Sequence, residues 1–110
     1  MPRTRIINAS WYGESLRGHR TASGERFDPN RMTAASKTLP MGSIVRVTNL
    51  ETGRSVKVQI NDRGPYVRKR DLDLSRAAAR EIGLTTKGVA LVKVTPVPAP
   101  TDSASASLPQ

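Results

Sequence analysis

The chain has 110 residues, 36% of them hydrophobic, a formal net charge of +9 from 18 Lys and Arg against 9 Asp and Glu, and no cysteine. That length suits one small domain, since two would each be too short to bury a stable core. The lack of cysteine excludes a disulfide framework or a thiolate metal site, so packing and backbone pairing must hold the fold. Apolar runs such as Val89–Val92 fall far short of the roughly 20 residues that span a bilayer. Met1 to Asn8 has no apolar stretch of the kind found in a signal peptide. A charge this positive favours polyanions, whether nucleic acid, anionic lipid or an acidic cell-wall polymer, or serves solubility alone. With only Trp11, Tyr12, Phe27 and Tyr66 as aromatics, a base-stacking platform is poorly supplied and no nucleic-acid partner is expected.

In chain order, residues 1–7 form a frayed N-terminus and 8–95 the folded domain. Ala9 to Tyr12 and Met32 to Ala35 are short extended pieces. Ile44 to Thr48 and Ser55 to Ile60 are β-branched, the second alternating strictly, and Asn49 to Arg54 between them carries the turn glycine Gly53. This is an antiparallel hairpin with one buried face. Ser75 can cap an alanine-rich helix that Gly83 ends. Val89 to Val94 is a further strand, and 96–110, with four prolines among Ala, Ser and Thr, is a flexible linker or tail. The class is mostly β with one or two short helices.

His19 is the only histidine, so a zinc site would need three or more carboxylates and a Ser-His-Asp arrangement would rest on that one residue. No glycine-rich phosphate loop is present, and neither metal nor cofactor is expected. The chemistry then falls to carboxylates. Asp62 follows the alternating strand and precedes Arg63-Gly64-Pro65; it is either a partly buried acid, pushed up by burial and down by Arg63, or a turn residue bonding amides. Asp71 and Asp73 flank Leu72 and would share one strand face, away from Leu72 and Leu74; Asp73 or Ser75 is alternatively a helix cap. Glu25 lies in a glycine-containing loop beside Phe27 and either reaches a cleft or pairs with Arg20 or Arg26. Trp11 and Tyr12 are consecutive, so one can pack in the core while the other offers a platform for a sugar ring, or both are core.

Six blocks, Ala9 to Gly13, Thr21 to Phe27, Thr33 to Pro40, Val45 to Leu50, Asn61 to Tyr66 and Asp73 to Ser75, resemble the rare lipoprotein A (RlpA) family in order and spacing. The resemblance implies a six-stranded double-psi β-barrel of the kind shared with expansins and barwin-like proteins. It also implies lytic transglycosylase activity on peptidoglycan, directed at glycan strands stripped of stem peptides, by a monomer in the bacterial periplasm or cell envelope. By position, the family's catalytic carboxylates fall on Glu25 and Asp62. Ser36 stands where the family usually has a histidine; its hydroxyl can bond a sugar or orient a carboxylate but cannot carry a proton near neutral pH, and His19 lies close in sequence. Expansin-like relatives, which loosen walls without evident cleavage, place their essential acid at a position resembling Asp73, with Asp62 and a small hydroxyl like Ser10 beside it. The expected site is therefore Asp62 as acid and base, Glu25 assisting, Ser36 at the histidine position, and Ser10, Trp11, Tyr12, Arg63 and Asp73 binding substrate.

Overall fold

The computed structural model describes residues 4–11, 19–65, 70–84 and 88–97. Its elements are β1 (Arg5–Trp11), β2 (Thr33–Ser36), β3 (Ile44–Asn49), β4 (Ser55–Asp62), β5 (Leu72–Leu74), α1 (Arg76–Glu81) and β6 (Val89–Val97). The strands close into a barrel in the order β1-β5-β2-β4-β3-β6. Two pairs are parallel, β1 with β5 and β2 with β4, and the rest antiparallel. Closure leaves no free edge, which a small barrel without cross-links needs to keep every strand paired.

The expected hairpin is present as β3 and β4, with Val45 opposite Val58 and Val47 opposite Val56. Gly53 takes φ 77° in the connecting turn, a conformation that costs a side-chain-bearing residue about 1 kcal/mol or more. Val45, Val47, Val58 and Ile60 point inward and meet Leu72, Leu74, Val92 and Val94 from the other strands. Each such side chain, fully buried, contributes roughly 1.5–3 kcal/mol of transfer free energy. The first and last strands are longer than their apolar cores suggest. Pairing between them begins at Arg5 opposite Val94, and β6 runs on to Val97 alongside β3. Pro96 falls where β6 has only β3 as its neighbour, an edge position that tolerates the missing N–H. The tail from residue 98 onward lies outside the described residues.

The helix α1 is too short to be stable alone and is held at both ends. Ser75, not Asp73, is its N-cap, accepting from the Ala78 N–H at 3.2 Å and donating to the Arg31 carbonyl at 2.6 Å. At the other end Asn49 Nδ2 and Thr52 Oγ1 donate to the Ile82 carbonyl at 2.8 and 3.0 Å, and Arg54 Nε donates to the Glu81 carbonyl at 3.0 Å. These donors from the β3–β4 turn satisfy carbonyls that a helix end leaves unpaired, with the cation at the favourable end of the dipole. Gly83 follows in the left-handed region, φ 76°, and Ala78, Ala79 and Ile82 join the barrel core.

Because Ser75 is completely buried and links the helix to the segment before β2, Ser75→Ala is expected to lower unfolding free energy by about 1–3 kcal/mol in urea titration.

Candidate active site

Register aligns one row of residues across four strands. Ser10 of β1 lies opposite Asp73 of β5, Asp73 opposite Ala35 of β2, and Ala35 opposite Asp62 of β4. Residues opposite one another share a face. The adjacent rows, with Ala9, Ala34, Ile60, Leu72 and Leu74, fill the barrel, so this row belongs to the outer wall. Strict alternation would send Asp62 inward with Ile60. Instead Ala34 pairs with Ile60 and Ala35 with Asp62, leaving Asn61 as an extra residue whose bulge changes the parity. The two aspartates thus flank Ala35, about 9–10 Å apart between Cα atoms at two inter-strand spacings. The Phe27 ring packs on Ala35 and anchors the loop before β2 to this wall.

That loop brings Glu25 toward Asp62. The Ser23 N–H donates to the Asn61 carbonyl at 3.1 Å, and Asp62 Oδ1 accepts from the Ala22 and Arg63 N–H groups at 2.9 and 2.8 Å. The loop turns through Gly24 at φ 93° and is braced by Arg20 Nη1 donating to the Gly24 carbonyl at 2.6 Å. Glu25 Oε1 accepts from Ser23 Oγ at 3.3 Å and from Asn61 Nδ2 at 3.4 Å, and Oε2 lies 3.7 Å from Arg31 Nη1. An open pocket of about 220 Å³ sits beside Glu25, lined also by Ser23, Met41, Gln59 and Asn61.

Asp73 occupies a different environment, 9% exposed although on the outer wall. Ser10 Oγ donates to Asp73 Oδ1, Arg70 Nε donates to Ser10 Oγ at 3.0 Å, and Arg70 Nη2 lies 3.7 Å from the same carboxylate oxygen. Burial pushes the Asp73 carboxyl above its ordinary value, and the Arg70 charge opposes part of that rise. Asp71 does not share this setting. It precedes β5, is exposed, and accepts from the Asn8 N–H at 3.4 Å.

The remaining expected residues that the structure describes lie off the row. Ser36 pairs with Leu72 rather than with an acid, and its Oγ accepts from the Thr38 and Leu39 N–H groups at 3.2 and 2.9 Å. Arg63 Nη1 donates to the Ser36 and Leu39 carbonyls at 2.8 and 2.6 Å. Serine and arginine together therefore fasten the turn after β2 to the end of β4. Trp11 is half-buried against the core, while Tyr12 lies outside the described residues. His19 is exposed, and its carbonyl accepts from the Phe27 N–H at 2.6 Å. Arg70 and Asn61 are the participants that sequence reasoning missed. Arg70 belongs to the run Arg68-Lys69-Arg70, which reads as solvated charge; its spacing of three from Asp73 was the available signal. Nothing in the sequence marks Asn61 as a bulge. Among the described residues no three His, Asp or Glu side chains gather to hold a metal ion.

A closed six-stranded barrel with two parallel strand pairs and carboxylates on its wall is a double-psi β-barrel of the expansin and barwin-like kind. Solved structures of similar architecture include an expansin from Clavibacter michiganensis, TM-score 0.70 and 25% identity over 89% of this chain and 52% of that one. The Streptomyces papain inhibitor shares the fold at TM-score 0.70 and 22% identity, over 87% of this chain and 96% of that one. The lytic transglycolase family model matches residues 4–94, and the chain belongs to this RlpA-type family. It is 52% identical over 91 residues to the endolytic peptidoglycan transglycosylase RlpA of Neisseria meningitidis and 56% identical over 89 residues to that of Pseudomonas aeruginosa. These matches cover 83% and 81% of this chain but 38% and 26% of the relatives, so the chain spans well under half of their length.

The Asp73 environment has a measurable consequence. Its carboxyl resonance is expected to titrate above the ordinary 3.8, and Arg70→Met, which removes the opposing charge, is expected to move it higher still. The folded state holds this proton more tightly than the unfolded chain, so stability falls as pH rises from 3.8 through the folded value. Asp73→Asn should flatten that part of the stability profile and raise Tm at neutral pH.

Proposed function

We propose that the chain is the catalytic domain of an endolytic peptidoglycan lytic transglycosylase, acting as a monomer in the bacterial periplasm or cell envelope on glycan strands stripped of stem peptides. The observation that carries this reading is the pair of carboxylates flanking Ala35, one desolvated beside a hydroxyl and the other held by amides. Among the two, Asp73 suits the proton donor, because burial keeps it protonated to higher pH than an ordinary aspartate. In the proposed reaction Asp73 gives its proton to the leaving O4 of N-acetylglucosamine as the C1–O4 bond to N-acetylmuramic acid breaks. The muramic C6 hydroxyl attacks C1, and its proton returns to the Asp73 carboxylate, leaving a 1,6-anhydro end without addition of water. Asp62, fixed by the Ala22 and Arg63 amides, stabilises positive charge developing at C1. Glu25, exposed beside its pocket, binds the neighbouring sugar, with Tyr12 as a stacking platform. Ser36 and Arg63 act by holding the turn, not by moving protons.

One observation favours a second reading, in which the domain binds and loosens wall without cutting: the hydroxyl at the family's histidine position is engaged with the Thr38 and Leu39 amides. A digest of naked glycan strands analysed by mass spectrometry separates the two. The transglycosylase reading expects anhydro-ended fragments, reduced 10²–10⁴-fold in Asp73→Asn and in Asp62→Asn, and unchanged in kind in Ser36→Ala. Wild-type protein that retains strands yet releases no fragments would establish the expansin-like reading instead.

A further inference from the structure

The wall centred on β6 carries an exposed aliphatic surface that borders the site row only where Val89 pairs with Ser10. Ile6, Leu50, Val89 and Leu91 are 61%, 47%, 44% and 52% exposed. They are contiguous. Val89 and Leu91 share the outward face of β6, the Leu50 N–H donates to the Leu91 carbonyl at 3.3 Å, and Ile6, opposite Lys93, is diagonal to Leu91. Leu50, Val89 and Leu91 line an open depression of about 380 Å³ with Glu51 at its border. An aliphatic cluster of this kind on a small barrel marks an interaction surface.

Cations adjoin it on the same wall. Lys93 is the direct cross-strand neighbour of Ile6 and also lies opposite Thr48, next to Arg46 on β3; Arg46 in turn faces Lys57 directly across β3 and β4. All three are exposed, and among the described residues none is in an ion pair. Like charges directly opposite one another destabilise a strand pair, so folding alone does not explain Arg46 facing Lys57. Neighbouring outward positions, Thr48, Ser55 and Gln59, supply no carboxylate to offset them.

We propose that this wall is a docking face for an anionic lipid bilayer, with the aliphatic cluster seated at the headgroup boundary and Lys93, Arg46 and Lys57 over acidic headgroups. Charge complementarity sets the partner's sign, and the exposed aliphatics distinguish a bilayer from a soluble polyanion, which would need cations only. Barrel geometry gives the orientation. Going round in either direction, β6 is three strands from β2, so a membrane on the β6 side turns the Ala35–Asp62 end of the row away from the lipid, while the Ser10 end, paired with Val89, borders the aliphatic cluster.

The test is co-sedimentation of the 110-residue chain with phosphatidylcholine vesicles, with and without phosphatidylglycerol, over a salt series. Binding is expected only with phosphatidylglycerol. Arg46→Glu with Lys93→Glu should weaken it roughly tenfold or more, while the charge-matched pair Arg26→Glu with Lys37→Glu should have little effect. Ile6→Ser with Leu91→Ser should abolish the fraction that survives raised salt. If the glutamate pair shifts the thermal melt, Arg46→Gln with Lys93→Gln replaces it, with the same direction expected. Three results would each overturn the proposal: no binding to phosphatidylglycerol vesicles, equal loss in the Arg26 and Lys37 pair, or binding that ignores the Ile6 and Leu91 changes and is matched by soluble polyglutamate.

Discussion

Asn61 is the residue by which β4 falls out of step with β2, and the placement of both the Glu25 loop and Asp62 follows from that offset. Up to Ile60 the strand alternates and fills the barrel. The extra residue then turns Asp62 onto the outer wall opposite Ala35, while the Asn61 carbonyl takes the Ser23 N–H and its Nδ2 reaches Glu25. A bulge is a local kink in a ladder, yet here it supplies the attachment point for the entire glycine loop. Ala22 then closes the arrangement by donating to Asp62 itself. Loop and acid are thereby mutually positioned by main-chain groups, which hold geometry more tightly than paired side chains do.

Asp73 shows the opposite compromise. A carboxylate on the outside of a barrel would ordinarily be solvated, but Ser10 and Arg70 lie over it, and the folded state tolerates a partly desolvated acid. That tolerance depends on a core made almost wholly of aliphatic side chains from strands and helix. Local destabilisation at a candidate site, offset by consistency elsewhere, is the usual relation between site and scaffold.

The parts of the fold legible in the sequence are those with local causes. Alternation in Ser55 to Ile60, the turn glycine Gly53, and Ser75 and Gly83 at the helix ends all act within a few residues, and each does what its chemistry suggests. The family blocks supplied the barrel itself, which periodicity did not. Non-local features were hidden. No rule of alternation anticipates that β2 pairs in parallel with β4 or that the register shifts at Asn61. The burial of Asp73 depends on Arg70 folding back over Ser10, and the engagement of Ser36 depends on a turn whose carbonyls also receive Arg63. Thus the sequence signals do not show that Asp62 and Asp73 share one row while Glu25 stays on its loop and Ser36 lies apart, since each of these placements depends on tertiary context.

The net charge of +9 also resolves into different tasks once each cation is placed. Arg54 serves a helix end, Arg63 a turn, and Arg31 and Arg70 the carboxylates of the site. These side chains are held by carbonyls or acids of the same molecule and so contribute little to attraction at a distance beyond their share of the overall field. Besides Arg5 at the start of β1, the exposed trio Arg46, Lys57 and Lys93 is what remains on the strands, and it lies beside aliphatics rather than beside the acids. A basic protein whose two wall aspartates lie on β5 and β4 and whose β6 and β3 positions are cationic and apolar is polarised across its short barrel. Under the proposed docking, such polarity would set the orientation of the barrel on an anionic surface, and it follows from which outward strand positions carry charge together with the order of the strands.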